Sequence, residues 1–123
     1  MAQSPLSAVP AAAVPGTVTI SDEAIAQVVG LTVLECYGVV GMAARSLTQG
    51  VARLLTRDRL TQGIAVERKG DGLSIDLYVV LEYGLNLKEV GQNLRSRVTY
   101  TVEKLTRLRV ESIEVWIQGV RRT

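Results

Sequence analysis

The chain has 123 residues, 47% of them hydrophobic, which is enough for one domain with a core of limited depth. Fourteen basic and twelve acidic residues give a net charge of +2, too small a balance to indicate nucleic acid or an anionic membrane as a partner. The chain has no histidine, which excludes His-based acid–base catalysis and removes the commonest metal ligand. Its single cysteine, Cys36, excludes an internal disulfide.

The first 15 residues are small and interrupted by three prolines, so residues 1–15 are predicted to form a disordered tail. They lack the basic segment of a signal peptide, and no run in the chain approaches the roughly 20 apolar residues of a membrane span. We therefore expect a soluble, cytoplasmic protein. Residues 16–120 are predicted to form a single α/β domain, and residues 121–123 a short C-terminal tail.

The domain is predicted to begin with a short strand over Gly16–Ile20, followed by a helix. Ser21 has the side chain of a good helix N-cap. The helix is expected to end at Gly38, with Cys36 on its apolar face as a core residue rather than a nucleophile. Gly30 inside the helix lowers its stability, which indicates close packing against a neighbour.

Val39–Ala44 is predicted to be a short buried strand, and Ser46–Arg59 is less clear, with a short helix as one interpretation. Four arginines lie in and beside this second stretch. They form either a solvated basic face or a surface for an anionic partner: Arg45, Arg53, Arg57 and Arg59.

The strongest strand signal is Leu73–Gly84, LSIDLYVVLEYG, in which apolar residues alternate with polar ones. A second alternating run, Gly63–Lys69, precedes it, and Gly70-Asp71 between them predicts a hairpin. This turn places Val66 opposite Ile75 on the apolar face.

A second helix is predicted after Gly84, with Asn86 as its N-cap and Glu89 completing a capping-box-like pair. Its buried stripe comprises Leu87, Val90, Leu94, Val98, Val102 and Leu105. Leu108–Val120 is predicted to be a final strand, parallel to the long strand before the helix. Both helices have one apolar stripe, so we expect an α+β fold: a two-layer α/β sandwich with a mixed sheet and the two main helices on one face. The other sheet face would carry Tyr78, Val80 and Trp116.

Few motifs in the chain carry chemistry. Gly38-Val39-Val40-Gly41 matches the GxxG of KH domains, but it leads into an apolar strand instead of joining two helices. Asp76 and Glu82 share a strand face, yet ~20 Å separates them at ~3.3 Å per residue, too far for a carboxylate pair acting on one bond. No phosphate loop or metal-ligand cluster is present in the sequence.

The order of these segments resembles the alkaline-shock protein family, the Gls-type general-stress or envelope-stress family of Gram-positive bacteria. The resemblance runs from GTVTISDEAIAQVV through YGVVGM, LSIDLYVVLEYG and LKEVGQNLRSRVTYTVEKLT to VESIEVWIQGV. It implies no enzymatic activity, catalytic residue or cofactor. It implies a small cytoplasmic protein tied to cell-envelope homeostasis, in some members held near the membrane by a membrane-protein partner.

The leading hypothesis is therefore a non-enzymatic interaction or scaffold protein of the envelope-stress type, acting through protein–protein contacts and forming a homo-oligomer. Its candidate contact surface is Tyr78, Val80 and Trp116. One alternative is a nucleic-acid-binding module, based on the GxxG and the arginines. Another is an accessory protein that binds a small anionic ligand near those arginines.

Overall fold

The computed structural model describes residues 19–44 and 53–122. Within these ranges two helices, one 3₁₀ helix and four strands alternate along the chain. In order they are α1 (Asp22–Leu34), β1 (Val39–Met42), the 3₁₀ helix (Arg57–Gly63), β2 (Ile64–Lys69), β3 (Gly72–Glu82), α2 (Leu87–Thr106) and β4 (Arg109–Arg121). This is the predicted α+β sandwich, with a mixed sheet under the two main helices.

Strand β3 is the centre of the sheet. Strand β4 pairs with it in parallel along its whole length, from Gly72 to Glu82. Strands β2 and β1 pair with it antiparallel, β2 along Gly72–Leu77 and β1 along Val79–Leu81. Because β4 occupies one side of β3 throughout, β1 and β2 lie end to end along the other side.

The predicted hairpin register is confirmed. Val66 is paired with Ile75 and Ile64 with Leu77, and Ile75 is completely buried. Gly70 has φ +59°, a conformation that a two-residue hairpin loop requires and that glycine adopts without a steric penalty.

Helix α1 begins as predicted, because the Ser21 hydroxyl accepts a hydrogen bond from the Ala24 amide at 3.1 Å. The predicted end at Gly38 is wrong, since α1 stops at Leu34. The next amides, of Glu35 and Cys36, donate to carbonyls three residues back, which tightens the chain into a turn. Cys36 lies in this turn, buried but no longer helical.

Two other predictions concern Gly30 within α1 and the segment that precedes the helix. Gly30 does pack closely: an added Cβ would lie 3.0 Å from the Cβ of Leu60 in the 3₁₀ helix. The predicted strand over Gly16–Ile20 is wrong for its described part, because Thr19 and Ile20 are not in a strand. The rest of that segment lies outside the described residues.

Helix α2 is capped as predicted, with the Asn86 side chain accepting from the Lys88 and Glu89 amides at 3.1 and 3.2 Å. Its stripe enters the core from Val90 to Val102, but Leu105 is 58% exposed, contrary to the prediction. The last turn extends past the core, where Leu105 borders a shallow apolar cleft of about 90 Å³ shared with the start of α1.

The core lies between the helices and the sheet. The residues completely shielded from solvent there come mainly from β3 and from the inner faces of α1 and α2: Val29, Val33, Met42, Leu73, Ile75, Leu77, Val79, Leu81, Leu94 and Val98. Neither helix among the described residues is long and apolar enough to cross a membrane.

Candidate interaction surface on the open sheet face

An aromatic pair marks the sheet face that the helices leave uncovered. Tyr78 and Trp116 are register partners on β3 and β4, so their side chains project from the same face. Their rings are stacked, with centroids 6.1 Å apart and planes 11° apart. Trp116 remains 50% exposed and Tyr78 is half-buried. The two side chains therefore present a flat aromatic surface to solvent, as the strand alternation predicts.

Val80 does not belong to this exposed surface, although its position on β3 predicts that it should. It is completely buried. Its register partner on β1 is Gly41, and a Cβ added to Gly41 would lie 3.0 Å from the Cδ2 atom of Leu54. Leu54 in turn forms an antiparallel bridge with Ala43. The chain that precedes the 3₁₀ helix thus places Leu54 over this end of the open face.

Polar side chains continue the open face away from Val80. The hydroxyls of Ser74 and Ser112 are 2.8 Å apart and hydrogen-bonded across β3 and β4. Between these serines and the aromatic pair, Asp76 is paired in register with Glu114. Like charges directly opposite each other on neighbouring strands are destabilising. The open-face surface is defined here as Ser74, Asp76, Tyr78, Ser112, Glu114 and Trp116.

The sequence-based hypothesis identified the aromatic pair but missed the carboxylate pair. It compared Asp76 with Glu82 on one strand, whereas the neighbour of Asp76 is Glu114 on the next strand. That pairing depends on a β-bulge, because Glu111 is an extra residue between the register positions of Leu73 and Ser74. A strand alternation read from one segment alone cannot reveal such a shift.

Three of the four arginines of the predicted anionic-partner patch lie in the described part of the chain. Arg45 lies outside the described residues, while Arg53, Arg57 and Arg59 are exposed. Arg57 borders a shallow groove of about 280 Å³ together with Glu23 and Asp58. These carboxylates reduce the attraction of the groove for an anion. Anion binding by the arginines stays a prediction.

A local hydrogen bond stabilises the ionised form of Asp58. The Thr56 hydroxyl donates a hydrogen bond to its carboxylate at 2.6 Å. That hydrogen bond holds the pKa of Asp58 below its ordinary value, since it stabilises the charged form.

The GxxG segment has a structural explanation. Gly38 has φ +86° and is packed so tightly that an added Cβ would lie 2.8 Å from Val90, while Gly41 is already within β1. The segment joins α1 to a strand, whereas the KH loop joins two helices and clamps a nucleic-acid backbone. Its glycines serve a tight turn and a close strand contact.

Cys36 lies in a setting that disfavours nucleophilic chemistry. It is 5% exposed, and its thiol donates to the Thr32 carbonyl at 3.4 Å. Burial raises the pKa of the thiol, with the nearby Arg97 guanidinium acting in the opposite direction. The protonated thiol is a poor nucleophile, so Cys36 is suited to the core. No group of three or more potential metal ligands occurs among residues 19–44 and 53–122.

Nearly the whole chain matches a family of known proteins. Residues 11–122 match the model of the Asp-23 family (alkaline shock proteins), described as having a cell envelope-related function. The chain is 37% identical over 109 residues to the uncharacterised protein YloU of Bacillus subtilis, covering 88% of this chain and 91% of that protein. It is 34% identical over 107 residues to the uncharacterised protein Spy1614 of Streptococcus pyogenes, covering 86% and 88%.

A more distant relative carries a functional name. The stress response regulator gls24 homolog of Streptococcus pyogenes is 24% identical over 109 residues, covering 89% of this chain and 61% of that protein. Two solved structures of MamM CTD variants match with a TM-score of 0.50 and 14% identity, covering 84% of this chain and all of theirs. At that identity the likeness shows the fold alone. Since the family model spans nearly the whole chain and two relatives exceed 30% identity, the chain belongs to the Asp-23, or alkaline-shock, family of cell envelope-related proteins.

Proposed function

We propose that this protein acts without catalysis, as an interaction or scaffold protein of the cell-envelope stress response, through protein–protein contacts made by its open-face surface. The single observation that carries the proposal is the exposed stack of Trp116 on Tyr78. Trp and Tyr are the residues most enriched at the energetic centres of protein interfaces. A rigid sheet holds this pair in place, so little conformational entropy would be lost on binding.

The charge of the surface indicates what kind of partner it fits. Asp76 and Glu114 adjoin the aromatic pair, and each ring presents a face of negative electrostatic potential. A partner that brings a lysine or arginine to this surface would relieve the carboxylate repulsion and also contact an aromatic face. We further propose that this partner is a membrane-anchored protein that holds the chain at the cytoplasmic side of the envelope.

The test is affinity capture from a Gram-positive lysate with tagged parent and Trp116→Ala chains. Truncating a central interface tryptophan costs ~2 kcal/mol or more, which weakens binding by about thirtyfold. Tyr37→Ala is the matched control, because Tyr37 is a 71% exposed aromatic residue in the turn between α1 and β1, away from the open face.

The expected result is a specific partner that the parent and Tyr37→Ala capture and that Trp116→Ala loses, with unchanged circular dichroism. Equal capture by Trp116→Ala and the parent would show that the open-face surface is not the contact. Failure of Trp116→Ala to fold would assign the residue a structural role instead.

A further inference from the structure

Strand β4 forms a long sheet edge with no pairing partner in the described part of the chain. It has 13 residues and pairs only with β3, so its outer side presents main-chain groups that no described strand satisfies. Natural proteins protect such edges with charged residues (lysine above all), proline, β-bulges, short strands or a covering element. β4 contains neither lysine nor proline. Its bulges, at Glu111 and Gln118, leave a regular stretch from Ser112 to Ile117.

The residues of β4 that face the helices form a palindrome. They are the register partners of Leu73, Ile75, Leu77, Val79 and Leu81, and read Val110, Ile113, Val115, Ile117 and Val120. Both the residue types and the spacings of three, two, two and three are symmetric about Val115. The symmetric spacing arises because one bulge falls in each half of the strand.

The two halves of this palindrome differ in how well they are covered. Ile113 in the first half is 5% exposed, whereas Ile117 and Val120 in the second half are each 41% exposed. Beside the first half, an open groove of about 720 Å³ lies between β4 and one flank of α2. Its lining is mixed, with Tyr100, Val110 and Ile113 among polar and charged side chains that include Arg95 and Glu103. The first half of β4 therefore borders an open groove. The second half carries apolar side chains that are partly exposed to solvent.

We propose that the β4 edge binds a second copy of this chain, antiparallel and about a two-fold axis at Val115. Directly opposite residues of an antiparallel pair share a face, so the axis places Ile117 of each copy beside Ile113 of the other. Val120 likewise lies beside Val110. Ile117 and Val120 of each copy then enter the groove of the other copy. Because a two-fold interface is self-complementary, this contact is made twice.

Charge favours the antiparallel arrangement. Glu111 and Glu114 lie in the first half of β4, and Arg121 and Arg122 lie at its end. The two-fold axis brings the acidic half of one strand towards the basic end of the other, whereas a parallel pair would align like charges. Arg109 would lie directly opposite Arg121 of the other copy, and Glu111, which is ion-paired with Arg109, would lie diagonally from the same Arg121. Main-chain pairing ends near Val110, whose amide donates to the Glu103 carboxylate at 2.9 Å.

Site-directed cross-linking tests the symmetry directly. In a Cys36→Ala background, Val115→Cys is expected to form a covalent dimer with a short bifunctional thiol reagent, because the axis brings the two copies of this residue together. Val110→Cys alone should not cross-link, since the equivalent positions are ~33 Å apart at ~3.3 Å per residue. A mixture of the Val110→Cys and Val120→Cys chains should cross-link, because these positions are opposite each other. Absence of the Val115→Cys dimer, or cross-linking by Val110→Cys alone, would overturn the proposal.

An edge-blocking variant gives an independent measurement. Ile117→Lys places a charge on the edge and is expected to raise the dimer dissociation constant at least tenfold in sedimentation experiments. Leu105→Lys is the control, because Leu105 is similarly exposed but lies at the end of α2. A parent chain that sediments as a monomer refutes the edge contact, as does a dimer that tolerates Ile117→Lys. This test concerns self-association only, so partner capture through Trp116 can succeed or fail independently of it. If Ile117→Lys does not fold, the cross-linking result decides.

Discussion

Gly38 is a position where both the backbone conformation and the packing oppose a single added methyl group. Its φ of +86° lies in the region that residues with a Cβ rarely adopt. An added Cβ would also lie 2.8 Å from Val90 and 3.0 Å from Leu85. Both neighbours are side chains that fix the start of α2 against the turn after α1, and Val90 is buried.

Two separate costs follow for Gly38→Ala. The left-handed backbone conformation costs a residue with a Cβ about 1–2 kcal/mol. Overpacking against a filled core site costs about 1–3 kcal/mol more. The sum is roughly 2–5 kcal/mol of unfolding free energy, or a fall in melting temperature of ~8–20 °C at ~4 °C per kcal/mol.

Two other glycines separate these costs. Gly84 has φ +96° with nothing within 4 Å of an added Cβ, so Gly84→Ala should show the backbone cost alone, ~1–2 kcal/mol. Gly91 lies within α2, also with open space, and Gly91→Ala should stabilise the protein by up to ~1 kcal/mol through helix propensity. Urea denaturation of all three variants measures the differences. Equal destabilisation by Gly38→Ala and Gly84→Ala would refute the steric argument.

Three further predictions concern caps and titratable groups. Asn86→Ala should lower the free energy of unfolding by ~1 kcal/mol, because it removes the N-cap of α2. Asn93→Ala, at an exposed position within the same helix, should not lower it. Urea denaturation measures both variants. Cys36 should react slowly with thiol reagents in the native state, because burial raises the pKa of its thiol above the ordinary 9.0. Above about pH 9 only the unfolded chain releases this proton, so the free energy of unfolding should fall as the pH rises further. Rapid labelling of native Cys36 would contradict the burial argument. Thr56→Ala should raise the pKa of Asp58 towards its ordinary 3.8 in an NMR titration, since the hydroxyl that stabilises the carboxylate is lost; an unchanged pKa would contradict this cause.

The sequence alone determined where both helices begin and where the hairpin turns, because these signals lie within a few residues of one another. It did not determine the end of α1, nor the structure just before that helix. Ser21 and Asn86 satisfy helix-end amides two or three positions away, and the Gly70-Asp71 turn sets the pairing of β2 with β3. The alternation along β3 also predicted which face Tyr78 would occupy. The family resemblance, confirmed by the family model, rests on the same succession of elements.

Only the tertiary structure decided which of these side chains are exposed and which neighbour one another. Val80 is on the predicted open face, yet it is completely buried. At that end of the face, Leu54 from a separate part of the chain lies over the adjacent Gly41. The pairing of Asp76 with Glu114, and the symmetry of β4 about Val115, depend on bulges that appear only when β4 is placed against β3. Alternation reports the direction of a side chain, but burial and register depend on contacts between segments distant in sequence.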